Sequence, residues 1–359
     1  MERKTILFLT LWMGLASTAL SQKQPLPQIE VENVRRVFHN GEHNAFTDLI
    51  RWKGKFWLTF RSCPDGHMVF STSRIIVLNS DNARTWQKVH TFSVPLRDTR
   101  DPHFLAFKEQ LFVYTGTWYS GEGELPRNRY DINKHLGYGV KTADGNTWSK
   151  PFQLEGTYGH YIWRVATHDG NAYLCARRKR GYTELELGAG ATPIMESAML
   201  ESDDGINWRF HALFQTTKGN ETAFLFLKNG DFLAISRTQG REPALLVQAS
   251  SPYQQVKRKA LTEYIGGPLL ARWGNEFIVG GRRFTNAGPR TILYWLHDDA
   301  LHEIADLPSG GDTSYPGFVE LDDGTGLVSW YSSHEKDPNG KTMTAIYLAN
   351  LKRRWEKPQ

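Results

Sequence analysis

The chain has 359 residues, 40% of them hydrophobic and 13% aromatic, so it can bury a large core; its two cysteines exclude a disulfide framework as the basis of the fold. A formal net charge of +5, with lysines and arginines scattered along the chain, lacks the basic stripe of a nucleic-acid surface. It leaves only a mild preference for anionic partners.

In chain order, Arg3 and Lys4 precede an apolar run from Ile6 to Leu20, and Ala19 and Ser21 occupy the small-residue positions of a signal-peptidase site. This predicts a secretory signal peptide over residues 1–21 and a secreted or periplasmic protein. The run is shorter than the roughly 20 residues that span a bilayer. No later segment is apolar enough to do so, so no membrane insertion is expected after cleavage. Residues 22–359 are expected to form a single domain.

One unit then recurs six times: an apolar strand, a tight turn and a second apolar strand. The copies are LIRWKGKFWLTFR (49–61), FLAFKEQLFVYTGT (104–117), VATHDGNAYLCARR (165–178), FLFLKNGDFLAISR (224–237), LLARWGNEFIVGGRR (269–283) and FVELDDGTGLVSWYSS (318–333). Their Lys-Gly, Asp-Gly, Asn-Gly and Gly-Asn turns suit the positive φ of hairpin turns. The copies start roughly 45 to 60 residues apart, the length of a four-stranded propeller blade. A second repeat lies between them: NSDNARTW (79–86), TADGNTW (142–148) and SDDGINW (202–208) share an Asp, a Gly or Ala, a Thr or Asn, and a closing Trp. The Asp can accept from turn amides and the Trp can pack between strands, so Asp81, Asp144 and Asp204 are read as structural. No stretch keeps a helical apolar period. The expected fold is all-β, a six-bladed β-propeller, with VENVRRVF (31–38) and TAIYLANL (344–351) pairing to close the ring and remove an open edge. Whether Cys63 and Cys175 pair is left open.

In a propeller the innermost strands begin at one mouth of the central channel, so residues at those starts converge. They are His43, Asn44 and Asp48; Arg100, Asp101 and His103; His160, Trp163 and Arg164; Asn220 and Glu221; Gly266, Gly267 and Pro268; Ser314 and Tyr315. Several second strands end in arginine: Arg61, Arg178, Arg237 and Arg283. Arginines beside carboxylates and a tyrosine suggest a site for a carboxylate or sulfate.

On these residues the chain resembles the bacterial sialidase family, over most of its length and most weakly in the first blade; the Asp-turn repeats resemble the Asp-box of the same proteins. GNETAFLFLKNGDFLAISR (219–237) resembles the family stretch in which a Glu precedes an inner strand and an Arg ends the next. The resemblance implies that Glu221 activates the nucleophile and that Arg237 holds the substrate carboxylate. GPRTILYWL (288–296) implies the same carboxylate-binding role for Arg290, and TSYPGFVELDDGTGLVSWY (313–331) implies Tyr315 as covalent nucleophile. A neutral phenol activated by Glu avoids the repulsion between an anionic nucleophile and a carboxylated sugar. Two departures stand together. The family's first arginine is matched by Ala45 in AFTDL (45–49), and the Glu that supports it by Ser332. The first blade is thus rebuilt. The acid/base position falls near Asp65 in CPDGH (63–67), with His67 beside it.

The leading expectation is an exo-acting, sialidase-like glycoside hydrolase on a terminal acidic sugar of a glycan or oligosaccharide. The second is a uronate-directed lyase or dehydratase working by β-elimination. There Arg164, Arg178 or Arg237 would neutralise a carboxylate, and His43, His103 (in RDTRDPHF, 97–104), His160 or Tyr315 would move protons. The third is a non-catalytic glycan-binding propeller using Trp118, Tyr119, Tyr158, Tyr161 and Trp163. The catalytic candidates are therefore Tyr315, Glu221, Asp65, His67 and His103, and the carboxylate-binding candidates Arg237, Arg290, Arg164 and Arg178. No Cys-x-x-Cys occurs, and no metal and no cofactor are expected; a monomer is expected.

Overall fold

The six apolar hairpins form in the computed structural model of the chain, which describes residues 26–180 and 194–355. The expected signal peptide lies outside the described residues. At Lys53-Gly54, Lys108-Glu109 and Asp169-Gly170 both central residues have positive φ, the geometry that matches a two-residue turn to the twist of its strands. Each hairpin is the inner half of a four-stranded antiparallel sheet, and six such sheets are present. The first strands, His43–Trp52, Arg97–Phe107, Tyr161–His168, Thr222–Phe226, Gly266–Trp273 and Thr313–Glu320, pack each against the next and the last against the first. The architecture is a six-bladed β-propeller, with blades numbered here in that order.

Five blades are laid down in simple chain order. The sixth takes its outermost strand from the start of the chain: Gln28–Phe38 pairs antiparallel with Thr342–Arg354, with Val31 opposite Leu351 and Phe38 opposite Ile346. The ring is thus closed by the two segments expected to close it.

Alternating strand residues bury opposite faces, so each blade presents one apolar layer to each neighbour. Six buried clusters result, one at each blade interface. Trp57, Val77 and Phe104 join blades one and two; Leu174, Phe112 and Trp208 join two and three; Trp273, Trp295 and Trp330 join five and six. Cys175 belongs to the cluster between blades three and four and Cys63 is buried in blade one; both are free thiols.

The rim turns are held by side chains. Asp144 Oδ1 accepts from the Asn146 and Thr147 amides, both at 2.8 Å, and Asp204 Oδ1 from those of Ile206 and Asn207 at 2.7 and 2.8 Å. Gly205, with φ of 78°, is needed here: a Cβ would lie 2.8 Å from the Tyr114 hydroxyl, which donates to the Gly205 carbonyl. The first copy differs from expectation. Asn82, not Asp81, accepts from the Arg84 and Thr85 amides at 2.8 and 3.0 Å, while Asp81 is exposed and ion-pairs with Lys55 at 2.8 Å. Two adjacent polar residues satisfied the pattern, and the turn register chose the one aligned with Asp144 and Asp204. Losing an acceptor of two amides costs about 1–3 kcal/mol, whereas an exposed ion pair is worth about 0–1 kcal/mol. Urea denaturation should therefore show Asn82→Ala and Asp204→Ala clearly destabilised and Asp81→Ala nearly unchanged.

Candidate active site at the mouth of the channel

The inner strands break register near the mouth in five of the six blades: between Ala45 and Asp48, Arg100 and His103, Ile162 and Val165, Gly266 and Leu269, and Ser314 and Gly317. Bulges of this kind re-aim a side chain. The residues at the equivalent place are Phe46, Asp101, Trp163, Gly267 and Tyr315. Phe46, Asp101, Gly267 and Tyr315 have φ of 64°, 54°, 59° and 54°, a region that bulky residues occupy only when their surroundings enforce it. A Cβ on Gly267 would lie 2.7 Å from the Tyr315 ring. Blade four differs: Glu221 directly precedes its inner strand and reaches the same space.

Tyr315 Oη donates to Glu221 Oε1 at 2.9 Å. Arg237 Nη1 donates to that same oxygen at 2.7 Å, and the Gly267 amide donates to Oε2 at 2.7 Å. Burial would raise Glu221, but the Arg237 and Arg177 charges and the Gly267 amide outweigh it and hold the carboxyl below its ordinary value. Burial, then the Glu221 charge, pushes the Tyr315 phenol well above its own. The pair therefore rests as a neutral phenol hydrogen-bonded to a carboxylate. Phe46 and Trp163 flank the phenol, with ring centroids 4.8 and 5.4 Å away.

Four arginines, Arg100, Arg177, Arg237 and Arg282, interact electrostatically with Tyr315. Arg177 donates to Asn220 Oδ1 at 3.0 Å and lies over the Tyr161 ring. Arg282 donates to the Thr313 carbonyl at 2.7 Å and to Asp312 Oδ1 at 3.2 Å. Of the four arginines expected from sequence, Arg237 alone is among them. Arg178 points to the other face of its strand, bound to Glu196 at 3.1 Å beside its pocket-facing neighbour Arg177. Arg290 is held outside the pocket, its three nitrogens engaged by Asp306, the Ser309 carbonyl and the Leu307 carbonyl. Arg164 lies in the channel, ion-paired with Asp48 and donating to the Pro316 carbonyl at 2.6 Å. Both Arg177-Arg178 and Arg282-Arg283 are consecutive pairs; side-chain alternation sends one member inward, and Arg283 outward to Glu303 at 2.6 Å.

The other expected residues separate in the same way. His103 sits beside Arg164 in a channel cavity of about 170 Å³ lined by all six inner strands. Burial and the Arg164 charge depress it to about 4, so it is neutral there. Asp65 is exposed and bound to Thr72. His67 stands at the mouth, its Nδ1 2.8 Å from Asp312 Oδ2, while His43 Nε2 approaches the same oxygen at 2.9 Å. Asp312 lies two residues before Ser314, the first residue read at that strand start. Ala45 and Ser332, at the two departures from the family pattern, are buried, and the Arg100 guanidinium lies over the neighbouring Phe46 ring, 5.6 Å from its centroid.

Asp101 also faces this region, buried, with Oδ1 unpartnered. Burial pushes it up to about 8, against the opposing Arg100 charge and with help from Glu221 and Asp98. It is a neutral carboxyl at neutral pH, able to donate one hydrogen bond.

No family model and no curated protein matches the chain. Among solved structures, a protein of unknown function from Dyadobacter fermentans is 20% identical over 92% of this chain and 100% of that one, with a TM-score of 0.74. Trypanosoma rangeli sialidase in complex with sialic acid is 14% identical over 91% of this chain, with a TM-score of 0.62; the chain spans 59% of that protein. A family 117 glycoside hydrolase from Zobellia galactanivorans is 11% identical over 91% of this chain and 90% of its own, with a TM-score of 0.54.

The Asp101 shift carries a stability signature. A carboxyl raised in the fold binds its proton more tightly there than in the unfolded chain. Its contribution is therefore complete below the unfolded value of 3.8 and is lost as pH rises towards about 8. The slope is at most about 1.4 kcal/mol per pH unit. Asp101→Asn should remove this slope, so the difference in melting temperature between variant and parent should move in the variant's favour from pH 4 to pH 8.

The chain carries a sialidase-type six-bladed β-propeller fold.

Proposed function

We propose that this protein is a carbohydrate-active enzyme, a glycoside hydrolase acting on a terminal acidic sugar with Tyr315 as nucleophile and Glu221 as its base. The observation that carries this reading is the 2.9 Å hydrogen bond from Tyr315 to Glu221 inside a pocket ringed by Arg177, Arg237 and Arg282. Complexes of Trypanosoma rangeli sialidase, one a covalent intermediate with 2,3-difluorosialic acid, support the same class of chemistry on this fold.

In this mechanism the arginines draw the sugar's anionic group inward and orient the anomeric carbon over the phenol. As the phenol oxygen bonds to that carbon, its proton passes to Glu221, and the bond to the aglycone breaks with the departing oxygen taking a proton from solvent at the open mouth. Water then adds at the anomeric carbon, its proton passing to solvent, while the phenol oxygen leaves that carbon and takes its proton back from Glu221. Arg237 is shared between Glu221 and the ligand, so binding an anion also moves charge off the base. With Ala45 in place of an arginine, the clamp is built differently from that of the family, and the acidic sugar proposed is not restricted to sialic acid.

Incubation with sialylated and uronate-containing oligosaccharides, followed by product mass, tests the reading. A saturated acidic sugar that has gained water, lost in Tyr315→Phe and reduced about hundredfold or more in Glu221→Gln, is expected. An unsaturated uronate instead would mean elimination and overturn the nucleophile assignment. Because Glu221 must be ionised and is held below its ordinary 4.5, the acid limb of kcat/KM should fall below pH 4.5.

A further inference from the structure

We propose that His43, His67 and Asp312 form a binding site for one divalent transition cation of the Zn²⁺ type at the rim of the pocket. The three come from distant stretches of chain: the start of blade one's inner strand, the loop after its second strand, and the residue before blade six's inner strand. The hairpin of blade one, with His43 opposite Cys63, brings His43 and His67 together, and ring closure adds Asp312 from blade six. Their ligand atoms all lie within 4.8 Å of one another.

The geometry fits a metal centre. His43 Nε2 and His67 Nδ1 stand 2.9 and 2.8 Å from one oxygen, Asp312 Oδ2. Ligands about 2.0–2.1 Å from a tetrahedral cation are about 3.3–3.4 Å apart, so each imidazole needs to draw back from the carboxylate by only about half an ångström to admit the ion. Two imidazole nitrogens and one carboxylate oxygen suit Zn²⁺ and its neighbours in the first transition row, and disfavour Ca²⁺ and Mg²⁺, which take oxygen ligands. The second carboxylate oxygen is already oriented: Tyr331 Oη donates to Asp312 Oδ1 at 2.8 Å and Arg282 at 3.2 Å. Hydrogen bonds of this kind aim a coordinating carboxylate.

The place also has a use for the charge. The His67 side chain is 45% exposed, so the remaining coordination positions open to solvent at the mouth. His67 lies against Phe46, centroids 5.7 Å apart, and Phe46 against Tyr315. A dication here stands at the seam of blades one and six and offers open positions to an anionic oxygen of the ligand. The cation site itself does not depend on the hydrolase reading, because binding is read on the metal alone.

The test is isothermal titration of the EDTA-treated full-length protein with Zn²⁺, with Co²⁺ absorption as a second probe. One Zn²⁺ per chain is expected, together with visible Co²⁺ bands. Affinity should fall about tenfold or more in His67→Ala and in Asp312→Asn, and the Co²⁺ bands should be lost. His67 is half-exposed, and an unchanged far-ultraviolet circular dichroism spectrum checks that its variant folds. Absence of saturable binding by the parent protein, or equal binding by folded His67→Ala, overturns the proposal whatever the sugar assay shows.

Discussion

Closure of the ring is the constraint on which the rest depends. A four-stranded sheet with one apolar layer on each face cannot stay in water alone, and six such sheets bury both layers only if the last meets the first. The strand Gln28–Phe38 completes blade six from the other end of the chain, and Phe38 packs on Phe60 of blade one with centroids 4.7 Å apart. The seam between blades six and one is also where Phe46, His67, Asp312, Tyr315 and Tyr331 meet. Closing the ring and assembling that side of the pocket are thus one event.

The ring supplies rigidity, and the bulges spend part of it. Holding a bulky residue at positive φ costs about 1–3 kcal/mol, and Phe46 and Tyr315 both accept that conformation within 4.8 Å of each other. The ladder below the bulge resumes in every case, so the distortion stays at the mouth, next to solvent and ligand. Buried clusters on both sides of each blade oppose any relaxation, because moving one inner strand opens two interfaces. Strain of this sort, repeated at equivalent places in several blades, is how one sheet geometry delivers an aromatic, a carboxyl, a glycine and a phenol to one cavity.

Charge is arranged there in opposed pairs. Glu221 is kept ionised by Arg237 and Arg177 although it is buried, whereas Asp101, with Oδ1 unpartnered, is kept neutral. Two carboxyls in one pocket therefore rest in opposite states, one able only to accept and the other able to donate. Beneath them Arg164 and Asp48 neutralise each other across the channel, with Arg164 also tied to the Pro316 carbonyl next to Tyr315. That pair serves as a floor beneath the pocket.

The sequence by itself determined the blade count, the turns and the closing strands, because apolar alternation and turn chemistry are local and repeat six times. It also marked Glu221, Arg237 and Tyr315, whose positions follow from strand starts and ends. It could not choose between adjacent like residues: Arg177 against Arg178, Arg282 against Arg283, Asn82 against Asp81. A shift of one residue reverses the face of a strand, and bulge and turn register are set by packing across the sheet. Only the tertiary structure decided those, and only it set Asp312 of blade six against His43 and His67 of blade one, since residues that far apart in the chain meet through closure of the ring and not through any local pattern.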